Sequence, residues 1–563
     1  MESVIKTAIG DVLQELDIDE VDFVVEHPAE LSHGDYACNV AMVISQKLGK
    51  NPREIAEELV GELAGEIEYV DKIEVAGPGF INFYLARDFF VEEITRIHNL
   101  GDDWGKNTSL EGEQILLEYT SPNLFKPLHV GNLVGNIIGE SLARLYVFSG
   151  ANVKRINYPS DIGLTVAKGV WGLQKTGGNP EDITALGEAY RVGNEAFEND
   201  EALKKEIEAV NRSLYEGDDE VLATLRAKGI KTSRAHLAEL CRMLGTTFDY
   251  EIFESEAGPK GKELVEAHRG TIFQESDGAI VYKGEQDGLH TRVFLNSQGL
   301  PTYEAKDLGN FGIKQEQYPD WRTSIIVTGN EQLDYFKVEY AVIRKVFNVP
   351  PEKNLVHIPT GFLTLSTGKM SSRKGNVLTG ESVLEEMVQE AFRRMEESGQ
   401  ERGVAVDQST GEAIAVAALK YQILKHNLGS DIVFDKEKAL SFEGDSGPYL
   451  QYTHARIQSV AQKAQTAGIG PSVTSVPQVT YEIEKILYRF EEVIEEVVAE
   501  DAPQKLVTYL TELASSFNSF YAQEKIADVE DEFAPYKLAV AKAVQQTLKN
   551  GLHLLGVEAP ERM

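Results

Sequence analysis

Two short polar stretches carry residues whose types and spacing suit phosphate chemistry. In SPNLFKPLHVGN, residues 121–132, His129 and Asn132 stand three apart where a helix would begin after the apolar run QILLEY. Both side chains can donate to a phosphate oxygen, and a helix N-terminus adds free N–H groups and positive partial charge. Gly131, Gly135 and Gly139 follow at spacing four, so one helix face can approach neighbouring backbone closely. About 240 residues on, GKMSSRKGN (368–376) sets Lys369, Arg373 and Lys374 between glycines, with little apolar to anchor them. A cationic loop facing a phosphate-binding helix start is what adenylyl transfer needs, because negative charge gathers on the α-phosphate and on departing pyrophosphate.

A second set suits a planar cation. A guanidinium is met best by carboxylates placed for paired N–H···O bonds. Glu118 ends the first strand, five residues before Asn123, and Tyr303 and Asp307 stand four apart in LPTYEAKDLG, on one face of a helical turn. Gln332, in TGNEQLDYF, follows another strand, where its amide can hold an α-amino group. Taken singly, each reads more readily as ordinary structure: a solvated loop acid, a core tyrosine, a helix-start histidine, a solvated basic loop. Activation of a carboxylate requires no strong general base, since the carboxylate is itself the nucleophile, so positioning and charge stabilisation would carry the chemistry.

The elements that position these residues follow from periodicity. Strand, loop, helix and strand succeed one another over residues 114–158, a βαβ order that predicts a Rossmann-like parallel sheet. We place this α/β catalytic domain at 110–380, with an insertion at about 165–300 whose first part, to about 245, is acidic and helical and whose second part returns to strands. Residues 1–105 predict a small α+β domain, with helices near Ser3–Leu16, Ala37–Leu48 and Pro52–Leu63 and a hairpin in VDKIEVAGPGFINFYLA. A helical stem at 381–430 and an all-α body at 431–563 complete the chain, with a Gly/Pro/Ser-rich linker at 467–478.

Composition narrows the partners. A formal net charge of -35 over 563 residues repels phosphate at long range, so any polyanion must be met by a local basic patch. Two distant cysteines, Cys38 and Cys241, both in apolar helical patterns, predict neither a disulfide framework nor a thiolate zinc site. The acidic amphipathic start and the lack of a membrane-length apolar run predict a cytoplasmic protein without a membrane span.

HVGN and KMSSRKG resemble the two signatures of class I aminoacyl-tRNA synthetases, usually written HIGH and KMSKS. SPNLFKPLHVGN, GPGFINFYL, LPTYEAKDLG, LSFEGDSGPYLQYTHARIQS, YLTELASSFNSFYAQEKI and LGVEAPERM resemble arginyl-tRNA synthetases, and the resemblance covers nearly the whole chain. It implies that arginine and ATP, the latter with Mg2+, give arginyl-adenylate, and that the arginyl group passes to the 2′-hydroxyl of the terminal adenosine of tRNA-Arg. It further implies activation that requires bound tRNA, a monomer, an N-terminal domain on the tRNA elbow and a helical domain on the anticodon. Carried onto matching positions, Glu118, Ser121, Asn123, Tyr303, Asp307 and Gln332 would bind arginine. His129, Gly131, Asn132, Lys369 and Met370 would bind ATP, with Lys126, Arg373 and Lys374 joining them in catalysis. Asn82, Phe83, Tyr449, Tyr452, His454 and Arg456 are candidate tRNA contacts.

Departures from the family pattern matter. Asn132 stands for the second signature histidine and can donate a hydrogen bond but never carry charge. Ser372 fills the second lysine position of the KMSKS-like loop, a change that Lys126, just before the HIGH-like motif, would compensate. YPSDIGL departs from the glycine–tryptophan pattern expected after the second strand, so Asp161 and Gly163 receive no role. Two other readings remain: a class I synthetase for lysine, whose cationic substrate would also welcome carboxylates, and a non-catalytic tRNA-binding or regulatory relative, which Asn132 alone invites.

Overall fold

The computed structural model of the chain describes residues 1–18, 21–366, 379–402 and 408–563. The alternating segment near the start folds as a hairpin, Val70–Ala76 against Phe80–Leu85, within a four-stranded antiparallel sheet that also takes in Val25–Glu26 and Tyr36–Cys38. Helices Glu2–Glu15, Val40–Leu48 and Pro52–Leu63 bury their apolar stripes against it. Asn51 caps the last of these, accepting a bond from the Arg53 N–H, with Pro52 at the first helical position. Cys38 lies on a strand rather than in the expected helix, which begins only at Val40, and its thiol is fully buried.

Five parallel strands form the central sheet, in the order Asn354–Thr360, Thr323–Gly329, Gln114–Glu118, Asn152–Asn157, Tyr250–Glu251. The chain lays down Gln114–Glu118 first and adds strands on both its sides, so connections leave in opposite directions and open a crevice at its carboxyl end. Ile115, Leu116 and Leu117 are all buried, as a parallel strand covered on both faces requires. The crossover helix Val130–Phe148 is apolar nearly all round, because the sheet lies on one side and the C-terminal helices Pro503–Gln523 and Ala534–Leu554 on the other, within one continuous core.

Helices Leu164–Thr176, Ile183–Asn199, Glu201–Glu216 and Glu220–Met243 follow the second strand and share a separate small core. Residues 247–300 hold the expected hairpin, Gln274–Ser276 with Ala279–Tyr282, together with a helix, Glu254–Ala267, where strands were expected. The C-terminal body is helical, but one short strand, Ile432–Phe434, pairs in parallel with Leu363–Leu365 and ties that body to the chain leading towards the basic loop.

Candidate active site at the carboxyl edge of the sheet

The turn after Gln114–Glu118 is strained: Thr120, Ser121 and Phe125 have φ of 75°, 39° and 66°. These left-handed values cost any L residue, and a β-branched one most. Two features hold the turn. Asn132 Nδ2 donates to the Thr120 carbonyl at 2.7 Å and to the Ser121 carbonyl at 3.4 Å. Phe125 buries its ring where Gly169 and Gly229 leave room, since a Cβ at either would fall 2.7 or 2.2 Å from it, and its N–H donates to Ser233 Oγ at 3.1 Å. Asn123 is set by a parallel bridge to Ser160. Asn132 was expected to donate to phosphate beside His129; its amide N–H groups instead brace the turn.

His129 caps the crossover helix, its Nδ1 accepting from the Gly131 N–H at 3.1 Å. That bond leaves Nε2 to carry the proton and donate outward. Burial first, and then the Lys126 charge, hold the imidazole below its usual range, so the donor is neutral at pH 7 although the residue is exposed. Lys126 itself stands 5.9 Å from the Tyr190 ring of the insertion. Among the three spaced glycines, Gly139 meets the closest approach, since a Cβ there would lie 2.3 Å from Tyr119 Cγ, whereas at Gly135 the nearest atom is an ordinary 3.7 Å away.

The chain emerging from the basic loop is fastened to this helix start. Thr379 bridges His129, Gly380 N donates to the Leu128 carbonyl at 2.7 Å, and Glu381 accepts from Leu128 N at 2.9 Å. Glu381 also pairs with His236 of the insertion at 3.2 Å. Lys369, Met370, Arg373 and Lys374 lie outside the described residues.

Glu118 and Asp307 face one another closely enough for the first to act electrostatically on the second. Glu118 already has a resident cation: its Oε2 accepts from Lys314 Nζ at 2.8 Å and Asn310 Nδ2 at 2.9 Å, all three side chains being buried. Asp307, Asn310 and Lys314 share one face of the helix Tyr303–Gln317. Asp307 keeps part of its surface open to the cleft, yet the surrounding protein is close enough that burial pushes its carboxyl up to about 7. The Tyr335 hydroxyl, donating to Oδ2 at 2.6 Å, acts in the opposite direction. With Lys314 paired to Glu118, Asp307 has no ion-pair partner of its own among the described residues. Tyr303 is 65% exposed, so it is no core residue; Lys306 Nζ stands 5.4 Å from its ring. Gln332 ends the short turn Asn330–Gln332 directly after strand Thr323–Gly329.

Sequence reasoning missed Lys314, Asn310, Tyr335 and Glu339. The first two carry a signal, helical spacing from Asp307, and Tyr335 stands three after Gln332. Glu339, one turn beyond Tyr335, is 1% exposed and neither carboxylate oxygen has a partner among the described residues. Burial, reinforced by Asp307 and Glu304, pushes its carboxyl well above the usual range. Asp161 is a structural knot, bonded to Arg226 at 2.6 Å and to Ser255 N and Oγ at 2.9 and 2.7 Å.

Several candidate RNA contacts are corrected by burial. Phe83 is 0% exposed inside the N-terminal core, and Asn82 beside it is 5% exposed, because both lie on a central strand of that sheet. His454 is 4% exposed and its Nδ1 bonds the Pro560 carbonyl at 2.9 Å. The Tyr449 hydroxyl accepts from Asn518 at 2.9 Å. Tyr452 and Arg456 stay partly open, with the guanidinium 4.7 Å from the Tyr452 ring and 5.8 Å from that of Tyr521.

A parallel sheet with its switch point beside a His-x-Gly-Asn helix start defines the catalytic fold of a class I aminoacyl-tRNA synthetase. Family models agree along the chain: "tRNA synthetases class I (R), catalytic domain" matches residues 94–436, "DALR anticodon binding domain" 450–563, and "Arginyl tRNA synthetase N terminal domain" 3–85. The chain belongs to the arginyl-tRNA synthetase family. It is 30% identical to an arginine–tRNA ligase of Borrelia hermsii over 98% of this chain and 96% of that one, and 30% identical to one of Clostridium perfringens over 98% and 97%. Among solved structures it is similar to the Thermus thermophilus arginyl-tRNA synthetase, with a TM-score of 0.79, 25% identity and full coverage of both chains. The fold also matches the Plasmodium falciparum enzyme, with a TM-score of 0.77 at 22% identity, over 100% of this chain and 99% of that one.

Proposed function

We propose that the protein activates L-arginine with ATP and transfers the arginyl group to the 2′-hydroxyl of the terminal adenosine of tRNA-Arg. The observation that carries the reading is the Asp307 carboxyl, held by Tyr335, at the same sheet edge as the His129 helix start. In this mechanism Asp307 and Glu118 meet the guanidinium, Tyr303 covers it from the cleft mouth, and Asn123 and Gln332 orient the amino-acid head. The arginine carboxylate attacks the α-phosphorus and pyrophosphate leaves; the tRNA hydroxyl then attacks the acyl carbon and AMP leaves. His129 Nε2 donates to ATP phosphates as a neutral hydrogen-bond donor, while Lys126 and Lys369 offset charge on the leaving pyrophosphate, with Arg373 and Lys374 assisting. Asn132 acts by holding the strained turn from which Asn123 and Lys126 project. ATP enters as its magnesium complex.

We place the enzyme in the cytoplasm as a monomer, on its resemblance to the family; none of the described helices is long and apolar enough to cross a membrane. The class-level alternative for lysine is not favoured, because the chain matches arginyl enzymes along its length. Charging assays with arginine and lysine, each with and without tRNA, test the reading. Arginine-dependent ATP consumption and charged tRNA are expected, and consumption with lysine alone would overturn it. Lys369→Ala is expected to slow adenylation far more than it weakens arginine binding.

A further inference from the structure

At the far end of the crossover helix lies a cavity of about 710 Å3 whose charge runs against that of the whole chain. Asp and Glu outnumber Lys and Arg by 90 to 55 overall, whereas the cavity lining holds Lys106, Arg144 and Arg155 against the single carboxylate of Glu140. Arg144 is saturated: it donates to Glu140 at 2.8 Å, to the His553 carbonyl at 3.0 Å and to the Gly245 carbonyl at 2.7 Å. Glu140 is thereby neutralised and accepts the Tyr119 hydroxyl as well, at 2.7 Å.

Arg155 is not satisfied in the same way. Its guanidinium makes no hydrogen bond among the described residues and meets only Glu140, at 3.6 Å. Asn107, on the same wall, has a buried Nδ2 without an acceptor among the described residues. Lys106 reaches the rim with 51% of its side chain exposed, paired with Asp103 at 2.5 Å and with its ammonium 5.9 Å from the Phe148 ring. A concave space lined by three cationic side chains, with the Arg155 guanidinium lacking an acceptor among the described residues, suits a ligand with several acceptor oxygens and negative charge, and Phe148 adds an apolar wall beside them. The volume falls within the roughly 300–1,000 Å3 of small-molecule sites. Fifteen residues of helix separate Arg144 from His129, about 22 Å, so this is not the phosphate site at the helix start.

We propose that this cavity binds a phosphorylated small molecule of nucleotide size, its phosphate held by Arg155 and Lys106 and its remainder against Phe148. The inference rests on the cavity alone and stands apart from the arginine reading. The recess suits a small ligand better than the outward-facing phosphates of an RNA backbone.

Titration calorimetry of the full chain with inorganic pyrophosphate tests this in a His129→Ala background, which removes one donor from the other phosphate site. A dissociation constant below about 1 mM is expected, weakened at least tenfold by adding Arg155→Gln and several-fold by Lys106→Gln. Lys106 is largely solvated, so that variant keeps the test decisive should Arg155→Gln unfold. Absence of pyrophosphate binding in the His129→Ala protein, or binding indifferent to both cavity variants, overturns the proposal. So does a tenfold loss of tRNA affinity in those variants with pyrophosphate binding unchanged, which would assign the surface to RNA.

Discussion

Lowering the pH from 8 to 6 should weaken arginine binding about tenfold, because Asp307 must be ionised to receive the guanidinium. Its carboxyl is pushed up to about 7, by burial first and then by Glu118 and Glu254 against the opposing Tyr335 bond. Guanidinium stays charged throughout this range, so only the acceptor titrates. At pH 6 roughly one carboxyl in ten is ionised and at pH 8 roughly nine in ten, and each pH unit below the midpoint costs about 1.4 kcal/mol of apparent affinity. Asp307→Asn should flatten the profile and cost about 3 kcal/mol, the loss of a charge-assisted pair, or roughly a hundredfold in affinity. Tyr335→Phe should move the midpoint upwards without abolishing binding, because the hydroxyl acts downwards on the carboxyl. Calorimetric titration with arginine from pH 5.5 to 8.5 measures all three. A flat profile in the unmodified protein, or an Asp307→Asn variant that binds normally, would refute the reasoning.

Glu339→Gln should raise stability, and more so at higher pH. A carboxyl raised in the folded state binds its proton there but not in the unfolded chain, so it costs stability as pH rises above the ordinary carboxylate range. The gap between variant and parent in urea midpoint should therefore widen from pH 5 to pH 8, and a constant gap would count against a protonated Glu339. Gly139→Ala should lower the melting temperature by forcing a Cβ into Tyr119, at a cost of about 1–3 kcal/mol; an unchanged melting temperature would show that the ring can retreat freely. Asn132→Ala should slow arginine-dependent pyrophosphate exchange more than it raises the KM for ATP, since it releases the strained Thr120 and Ser121 turn rather than a phosphate contact. A change confined to KM would return Asn132 to the phosphate.

How far each residue could be read depended on whether its role is local. The helix start near His129, the helix from Pro52, and the hairpin around Gly77–Gly79 follow from neighbours a few positions away, and the structure has all three. The helix Glu254–Ala267 did not, because Gly258 and Pro259 argue against a helix from within. It forms against the helix Tyr303–Gln317, where a Cβ on Gly261 would lie 1.6 Å from the Ala305 carbonyl oxygen, a contact 44 residues distant in the chain. Phe83, an aromatic ring in a hairpin strand, stands as a candidate RNA contact until the sheet shows that it is buried.

By itself the sequence determined the parallel-sheet class and the two signature stretches and put forward a set of side chains for a guanidinium, since periodicity and motif spacing are properties of short segments. Tertiary structure alone decided how charge is shared among them. Lys314 reaches Glu118 across 196 positions, Tyr335 reaches Asp307 across 28, and Glu339 is left without a hydrogen-bond partner among the described residues. Coulomb energy and desolvation depend on distance in space and on what excludes water, and neither quantity is written along the chain.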